Sequence, residues 1–536
     1  MSLKYDITVS IKVDMFAKRV KNSSMTKQPA TDSSKPLAAL VVGAGVGGLA
    51  TAMRLQAGGM SVTLIERAQT PGGKIRTVPS VAGPVEAGPT VLTLRSVFDD
   101  LFQACGTRLD QHVTMVEQKV LARHFWPDGS SLDLFSNPDQ SADAVAAFAA
   151  EPAVRAFLRF CREASDLFEA FERPMMKSGD PRQIALLHAA LRHPKNLPLL
   201  LPYATMRSHL KRRFADPRLA QLFGRYATYV GGSPGATPAL LSLIWDAEAR
   251  GVWRIDGGMT RLAEAMTNCF IGLGGDLRLA TAVSSIDASA EKVRGVTLSD
   301  GSCLHANTVV FNGDPRALAR GLLGPDVAHV APQTLKLPRS HSALVLSFAA
   351  SAEGVQLAHH NVFFASDPLS EFADLAAGRI PQTPSIYLCA QDRGTGRPAP
   401  DGTPERFEVI LNAPPLSGDA SQDTFEEATV CLKRICRTLA GFGLTLTPIA
   451  PPLERQREMS QATPRDFERL FPGSAGSLYG QSPHGLTAAL KRPRATTPVR
   501  GLYLAGGGTH PGAGVPMAAL SGQHAADVIM RDLGLT

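Results

Sequence analysis

Two spacings of apolar residues organise this chain. The run LAALVVGAG, from Leu37, is continuously apolar and stops at glycines, which predicts a strand buried on both faces of a parallel sheet. Small and apolar residues then recur at helical spacing through VGGLATAMRLQAGG, and Gly58-Gly59 predicts the helix end. MSVTLIE predicts a second strand, so strand, helix and strand fall within about thirty residues and form a βαβ unit. From about Arg95 to Asp246 the pattern turns helical, as in SADAVAAFAAEPAVRAFLRFCREASDLFEAF. DLRLATAVSSIDASAEKVRGVTLSDGSCLHANTVVF predicts a meander of short strands with a hairpin turn at Asp300-Gly301. Strand-like runs follow in ALVLSFAAS, NVFFAS, SIYLCA and RFEVILN, separated by Pro/Gly loops. RGLYLAGGG and the helical PMAALSGQHAADVIMRDL close the chain, and no internal repeat occurs.

Chemistry enters where the first strand ends. Gly43-Ala44-Gly45-Val46-Gly47-Gly48 fits G-x-G-x-x-G between a strand and a helix, and Glu66 ends the next strand. Gly43 permits the tight turn, Gly45 lets backbone approach a pyrophosphate, and Gly48 lets helix and strand pack closely. The free N–H groups and dipole at the helix start favour the anion. Glu66 would accept hydrogen bonds from an adenosine ribose, and an acid there argues against a 2′-phosphate. A glycine turn without a ligand is the alternative, and the order of all these parts speaks against it. The fingerprint alone does not separate NAD from FAD.

Bulk properties narrow the field. With 536 residues, 44% apolar and 19% charged, the chain reads as an ordinary globular protein of several domains. Its 55 Lys+Arg and 48 Asp+Glu leave a modest +7, with scattered cations and no aromatic-basic interleaving. That argues against nucleic-acid binding and leaves an anionic membrane surface open. The seven cysteines show no paired C-x-x-C spacing, so no metal site is expected, and free thiols in a reducing cytoplasm are. No stretch of about 18 apolar residues predicts a membrane-spanning helix. Residues 1–36 lack a signal-peptide core and read as a disordered tail, with Met15 and Met25 as alternative starts.

A second glycine pair lies behind the acid, in RAQTPGGKIRT, with Gly72-Gly73 followed by Lys74 and Arg76. This resembles the extended motif of the two-dinucleotide-binding-domain flavoproteins, among them amine oxidases and carotenoid desaturases. Lys74 or Arg76 would face a phosphate there; ordinary solvated charge is the alternative, above all for Arg76. EAGPTVL, Glu86 to Leu92, resembles the loop that passes beside the flavin. GVWRIDGGMTRLAEAM, PSIYLCAQDRGTGRPAPDG and LYLAGGGTHPGAGVPMAALSG extend the likeness to the end of the chain. From about Leu37 onward the sequence resembles the phytoene desaturase family of FAD-dependent carotenoid desaturases. RYATYVGGSPGATPALLSLI with GVPMAALSG is most similar to its 1-hydroxycarotenoid 3,4-desaturases, the hydroxyneurosporene or methoxyneurosporene desaturases of phototrophic bacteria.

The resemblance implies FAD. Ala44 and Val46 join the three fingerprint glycines and Gly47 as contacts, with Glu66, Arg67, Gly73 and Lys74 behind them. Gly88, Pro89 and Thr90 would follow from the flavin-side loop, Val283 from the meander, and Gly506, Gly507, Pro516 and Met517 from the C-terminal block. It also implies removal of two hydrogens from the C3–C4 bond of an acyclic 1-hydroxylated carotenoid. Hydride would pass to the flavin and a proton would leave. The chain has no Ser-His-Asp set or paired carboxylates, consistent with a reaction in which the cofactor carries the hard step and the protein positions it. His510, in GTHPG, is the one candidate base; the alternative, that it orders its own loop, is favoured because no partner is visible. Tyr226, Thr228 and Tyr229 are candidates to meet the substrate hydroxyl, against the plainer reading of a half-buried face.

The fold expected is α/β, α+β overall. A discontinuous Rossmann-like FAD-binding domain would draw on 37–95, 247–325 and 490–536. A mixed sheet-and-helix substrate domain, with a helical membrane-facing part, would take 96–246 and 326–489. Its substrate being insoluble in water, the enzyme must meet a membrane. Arg182, Arg192, Lys195, Arg207, Lys211, Arg212 and Arg213 lie between Asp180 and Asp216 with no acid among them, and IALLHAAL and NLPLLLPYATM add apolar surface. A solvated cation face over buried leucines is the alternative. The location expected is cytoplasmic and peripheral to the inner or photosynthetic membrane, and oxygen and a quinone both stay open as electron acceptor. Rival readings are a phytoene desaturase, another flavoprotein carotenoid desaturase or isomerase, a flavin amine oxidase, and a non-catalytic prenyl carrier resembling Rab GDP-dissociation inhibitors.

Overall fold

The computed structural model describes residues 37–289, 291–395, 403–418, 428–449 and 460–535. The expected tail, 1–36, and the close of PSIYLCAQDRGTGRPAPDG from residue 396 lie outside the described residues. Five strands from distant stretches form one parallel sheet, in the order Leu502–Leu504, Val309–Phe311, Ala38–Val42, Ser61–Ile65 and Asp276–Arg278. Ala38–Val42 is central, with Leu40 opposite Thr63 on one side and Val309 on the other. Helices and loops cover both faces of such a strand, which is why its sequence is apolar without alternation.

The first helix, Val46–Ala57, packs on the C-terminal helix, Val515–Asp532, backbone to backbone. A Cβ on Gly522 would lie 2.1 Å from the Gly47 carbonyl oxygen. Buried Thr51 donates its hydroxyl to that oxygen at 2.8 Å and sits 3.1 Å from the Gly522 carbonyl. Small residues at these positions therefore serve the contact between the helices as much as the glycine fingerprint.

The predicted meander is three strands, Val283–Ser289, Lys292–Leu298 and Cys303–His305, with its turn at Asp300-Gly301, where Gly301 has φ +86°. The flanking apolar runs, Asp276–Arg278 and Val309–Phe311, leave it for the parallel sheet. Apolar periodicity does not tell which sheet a short run will join.

An eight-stranded sheet runs in the order Leu444–Pro448, Ser342–Gly354, Glu405–Ala413, Ile386–Ala390, His360–Phe363, Val120–Phe125 and Ser131–Phe135, and Ser460–Ala462 also pairs with Ser342–Gly354. Its pairs are antiparallel except His360–Phe363 with Val120–Phe125. A purely helical reading of residues 95–246 misses the Val120–Phe125 and Ser131–Phe135 hairpin. VLARHF is compatible with either state by itself, but Pro127-Asp128-Gly129, with Gly129 at φ +83°, turns the chain back so that it pairs with Ser131–Phe135. On one sheet face Leu346, Phe348, Phe407 and Val409 pack against Cys431, Ile435 and Leu439 of the helix Ala428–Ala440. The opposite face carries Ala343, Ile410, Asn412 and Tyr387 and floors a large cavity. Helices Glu151–Phe171, Met206–Arg213 and Leu243–Ala249 enclose a separate aromatic core, in which the Phe160 and Phe223 ring centres are 4.6 Å apart.

Gly522→Ala should destabilise the protein by about 1–3 kcal/mol, because neither helix backbone can yield cheaply. Urea unfolding measures this; an unchanged midpoint would show that the helices are free to move apart.

Candidate functional site

Three glycine loops converge at the carboxyl ends of the parallel strands. Gly43, at φ +101°, donates its N–H to the Ile65 carbonyl at 2.7 Å, and Gly72 donates to Ala44 at 2.9 Å. A Cβ on Gly73 would stand 3.0 Å from the Gly45 Cα. On Gly47 a Cβ would stand 2.8 Å from Gly506, which brings the C-terminal block against the fingerprint. At Gly48 it would meet the Gly43 carbonyl at 2.0 Å. Glu66 closes the turn by accepting N–H bonds from Ala44 at 2.7 Å and Ala68 at 2.9 Å. Thr281 donates its N–H to the Glu66 carbonyl at 2.9 Å, so the chain entering Val283 runs beside the acid. Val46 opens the first helix, whose start has no side-chain cap and no acid in its first turn.

The cationic residues separate. Lys74 donates to the Leu478 carbonyl and lies 5.3 Å from the centre of the Phe471 ring. Although the side chain as a whole is exposed, protein crowds its ammonium; this burial, with Arg339 and Arg492 and against Asp314, lowers its pKa to about 8. Arg67 turns elsewhere and donates to the carbonyls of Arg469 and Leu470. Gly88 is pressed on the Lys74 carbonyl, 2.1 Å from where a Cβ would be. Arg492, buried, donates to Gly507 at 3.1 Å and Gln481 at 3.0 Å and so ties down the C-terminal loop. Gly506 donates its N–H to Ser521 at 3.1 Å. The C-terminal helix, with Pro516 in its first turn, starts at Gly514 without a side-chain cap or a first-turn acid.

His510 is buried, and its Nε2 lies 2.8 Å from the Ser178 carbonyl. Burial lowers its pKa to about 4, so the ring is neutral near pH 7, and its Nδ1 is buried without a partner. It stacks beside His524 at 6.1 Å.

A cavity of about 1470 Å³ adjoins these loops. Pro89, Thr90, Pro516 and Met517 line it, as do Leu186 and Ala190 of the helix Gln183–Arg192. Its wall is mainly apolar. Tyr229 and Thr228 line it, whereas Tyr226 is fully buried and donates to Glu248 at 2.6 Å. Thr90 Oγ1 and His360 Nδ1 each lie 2.7 Å from the Tyr387 hydroxyl. Arg207 and Lys211 also line the cavity and, with Arg212, carry no ion pair among the described residues; Arg213 pairs with Glu163. The outer side of this region exposes Ile184 by 70%, Leu191 by 56% and Tyr203 by 76%.

Two features escape sequence reasoning. Asn312, which follows the strand Val309–Phe311, donates Nδ2 to the Gly43 carbonyl at 3.0 Å and lies within reach of a Cβ at Gly45, Gly47, Gly48 and Gly506. Its only signal is an Asn-Gly pair after an apolar strand. His359, His360 and Cys389 form a buried group able to hold a metal, which spacing alone does not reveal. Cys389 Sγ lies 3.6 Å from His359 Nε2.

The cradle fits a flavin dinucleotide. Glycines too close to their neighbours for a Cβ let the three loops meet at one end of the sheet, two helix starts lack acids, and Lys74 adds a cation. Asn312→Leu should therefore purify folded by circular dichroism but with less flavin absorbance near 450 nm per protein; a wild-type ratio would refute the role of Asn312. Burial also holds His209, His341 and His359 near 4, as it does His510, against 6.5 when unfolded. Below pH 6.5 the unfolded chain binds protons that the folded chain refuses until about pH 4. The contribution of these histidines to stability should be full above pH 6.5 and fall steadily towards pH 4. Unfolding midpoints against pH test this, and His510→Gln should flatten the slope by up to one proton.

Residues 46–530 match the family described as flavin containing amine oxidoreductase. The chain is 52% identical to a hydroxyneurosporene desaturase of Cereibacter sphaeroides, covering 92% of this chain and 97% of that protein. It is 40% identical to the hydroxyneurosporene desaturase of Rubrivivax gelatinosus, covering 93% and 94%. Among solved structures, a putrescine oxidase bound to putrescine aligns with a TM-score of 0.58 and 14% identity over 92% of this chain and 99% of that one. Cyclohexylamine oxidase from Brevibacterium oxydans aligns at 0.55 and 14% identity, over 93% and 100%. FAD is the group the cradle fits, and the chain belongs to the flavin containing amine oxidoreductase family.

Proposed function

We propose that this chain desaturates the C3–C4 bond of an acyclic 1-hydroxylated carotenoid, hydroxyneurosporene or a close relative, in carotenoid biosynthesis. The observation that carries the reading is the mainly apolar cavity of about 1470 Å³, whose wall includes both Pro89-Thr90 and the start of the C-terminal helix. The names of the relatives at 40–52% identity agree with it. Stretches 37–95, 247–325 and 490–536 chiefly serve the cofactor and 96–246 and 326–489 chiefly the substrate, with Pro89, Thr90, Glu248, Pro516 and Met517 of the first set on the cavity wall. Bound FAD supplies the two-electron acceptor. The glycine cradle holds the dinucleotide, with Glu66 on the ribose side and the first helix start on the pyrophosphate. Pro89, Thr90, Pro516 and Met517 position the polyene end and keep water from it. His510 orders the C-terminal loop through Ser178 rather than taking a proton, because its ring is bound to backbone and outside the cavity wall.

No helix among the described residues is long and apolar enough to cross a membrane. The substrate enters from the lipid surface beside Arg207, Lys211 and Arg212, with Ile184, Leu191 and Tyr203 inserted among headgroups. The protein thereby works on the cytoplasmic side of the membrane.

Turnover of hydroxyneurosporene against neurosporene, with products resolved by chromatography, tests the reaction: a 3,4-desaturated product from the hydroxylated substrate is expected, and none would refute it. Flotation with anionic liposomes should weaken markedly when Arg207, Lys211 and Arg212 are changed to Glu; an unchanged profile would place the docking face elsewhere.

A further inference from the structure

The cavity wall is mainly apolar, yet one part of it is built from charge. Arg225 and Glu248 both line the cavity, with side chains only 10% and 2% exposed, and Arg225 Nη2 lies 3.7 Å from Glu248 Oε1. Arg225 Nη1 donates to the Tyr229 hydroxyl at 2.6 Å, and Glu248 Oε1 accepts from Tyr226 at 2.6 Å. Those bonds leave the set incomplete. Arg225 Nε and Nη2 are buried donors with no acceptor at hydrogen-bond distance, and Glu248 Oε2 is a buried acceptor with no donor at that distance, although the Tyr229 hydroxyl lies close enough to Glu248 to interact with it. A buried orphan costs its full desolvation, and more when charged, so a ligand that completes the set gains what the empty wall lacks.

An alcohol matches both kinds of orphan, since one oxygen accepts an N–H or O–H and donates its own hydrogen. Burial pushes the Tyr229 phenol above its ordinary range, so it stays a neutral O–H group beside Arg225. An ether oxygen can accept but cannot donate to Glu248, and a hydrocarbon can do neither.

Position agrees with this chemistry. In a 1-hydroxylated substrate the oxygen-bearing carbon is two bonds from C3 of the reacting pair, so its receptor must lie beside the reaction centre. Tyr387 lines the same cavity as Tyr229 and is hydrogen-bonded to Thr90 of the loop Glu86 to Leu92. A second polar spot on the wall has His341 and His484 either side of Ser233. It offers one unpaired imidazole nitrogen, His341 Nδ1, and burial keeps both rings neutral. It supplies no matched donor and acceptor.

We propose that Arg225, Tyr229 and Glu248 form the receptor for a tertiary alcohol at the end of the polyene, and that this contact sets which end and which bond of the carotenoid meets the flavin. The inference rests on the desaturase reading above. It adds that the hydroxyl is recognised by a buried ion pair, and that substrates rank hydroxyl, then methyl ether, then hydrocarbon.

The test uses the flavin-loaded, full-length protein with hydroxyneurosporene and neurosporene. Two readouts are taken: quenching of tryptophan fluorescence on binding, and kcat/KM with products identified. Wild type should favour the hydroxylated carotenoid by roughly 10- to 100-fold. Tyr229→Phe and Glu248→Gln, both close in shape to the native residues, should each cut that ratio at least several-fold in binding as well as in turnover. His341→Gln should keep it. If wild type does not distinguish the two carotenoids, the hydroxyl-specific reading and the receptor fall together. If wild type distinguishes them and neither variant changes the ratio, or only His341→Gln does, the desaturase reading stands and this receptor is wrong.

Discussion

The molecule depends on a contact that admits no side chains. Gly43, Gly47 and Gly48 of one loop meet Gly506 from near the other end of the chain, and at each the neighbouring backbone or the Asn312 amide stands so close that a Cβ would intrude. The Asn312 amide fills the remaining space and bonds the Gly43 carbonyl at 3.0 Å. This meeting sets the first helix against the C-terminal helix and brings the last strand beside Val309–Phe311. It also holds two uncapped helix starts at one end of the sheet. An anion-binding cradle and a close-packed helix pair are thus one structure, and the glycines serve both.

The eight-stranded sheet makes the opposite use of its faces. One is an ordinary apolar core. On the other, Ser347, Glu408, Cys389 and His360 stand in register across four strands. Both Glu408 carboxyl oxygens are buried without a partner, and burial, against the charge of Arg76, pushes its pKa well above the usual carboxylate range. Tyr387 and Ile410, further along the same face, belong to the cavity floor. Buried charges in this domain stand near an opposite charge, as Arg393 on Glu405 and Arg225 near Glu248, although the second pair keeps unfilled hydrogen-bonding positions.

Legibility followed the distance over which each feature is decided. The βαβ unit and the fingerprint are set within thirty residues, and their strands, helix and turn fall where the pattern puts them. The runs in SIYLCA and RFEVILN are strands as expected. The Val120–Phe125 and Ser131–Phe135 hairpin carries a local turn signal, Pro127-Asp128-Gly129 with Gly129 at φ +83°, which a helical reading of the whole stretch overlooks. Arg213 belonged by sequence to an acid-free basic stretch, yet Glu163 of a preceding helix neutralises it. Tyr226 and Tyr229 are three residues apart and equal in chemistry, but one is buried on Glu248 while the other faces the cavity.

By itself the sequence determined the dinucleotide fingerprint, the α/β class and the resemblance to flavin-dependent desaturases, because short-range spacing of glycine, acid and apolar residues suffices for each. Only the tertiary structure decided that Asn312 holds the glycine loops, that His510 is bound to the Ser178 carbonyl, and that Arg225 and Glu248 meet on a cavity wall. Each joins residues with no sequence relation to one another. Their energies arise from burial and exact hydrogen-bond partners, and these exist only once the chain has closed around them.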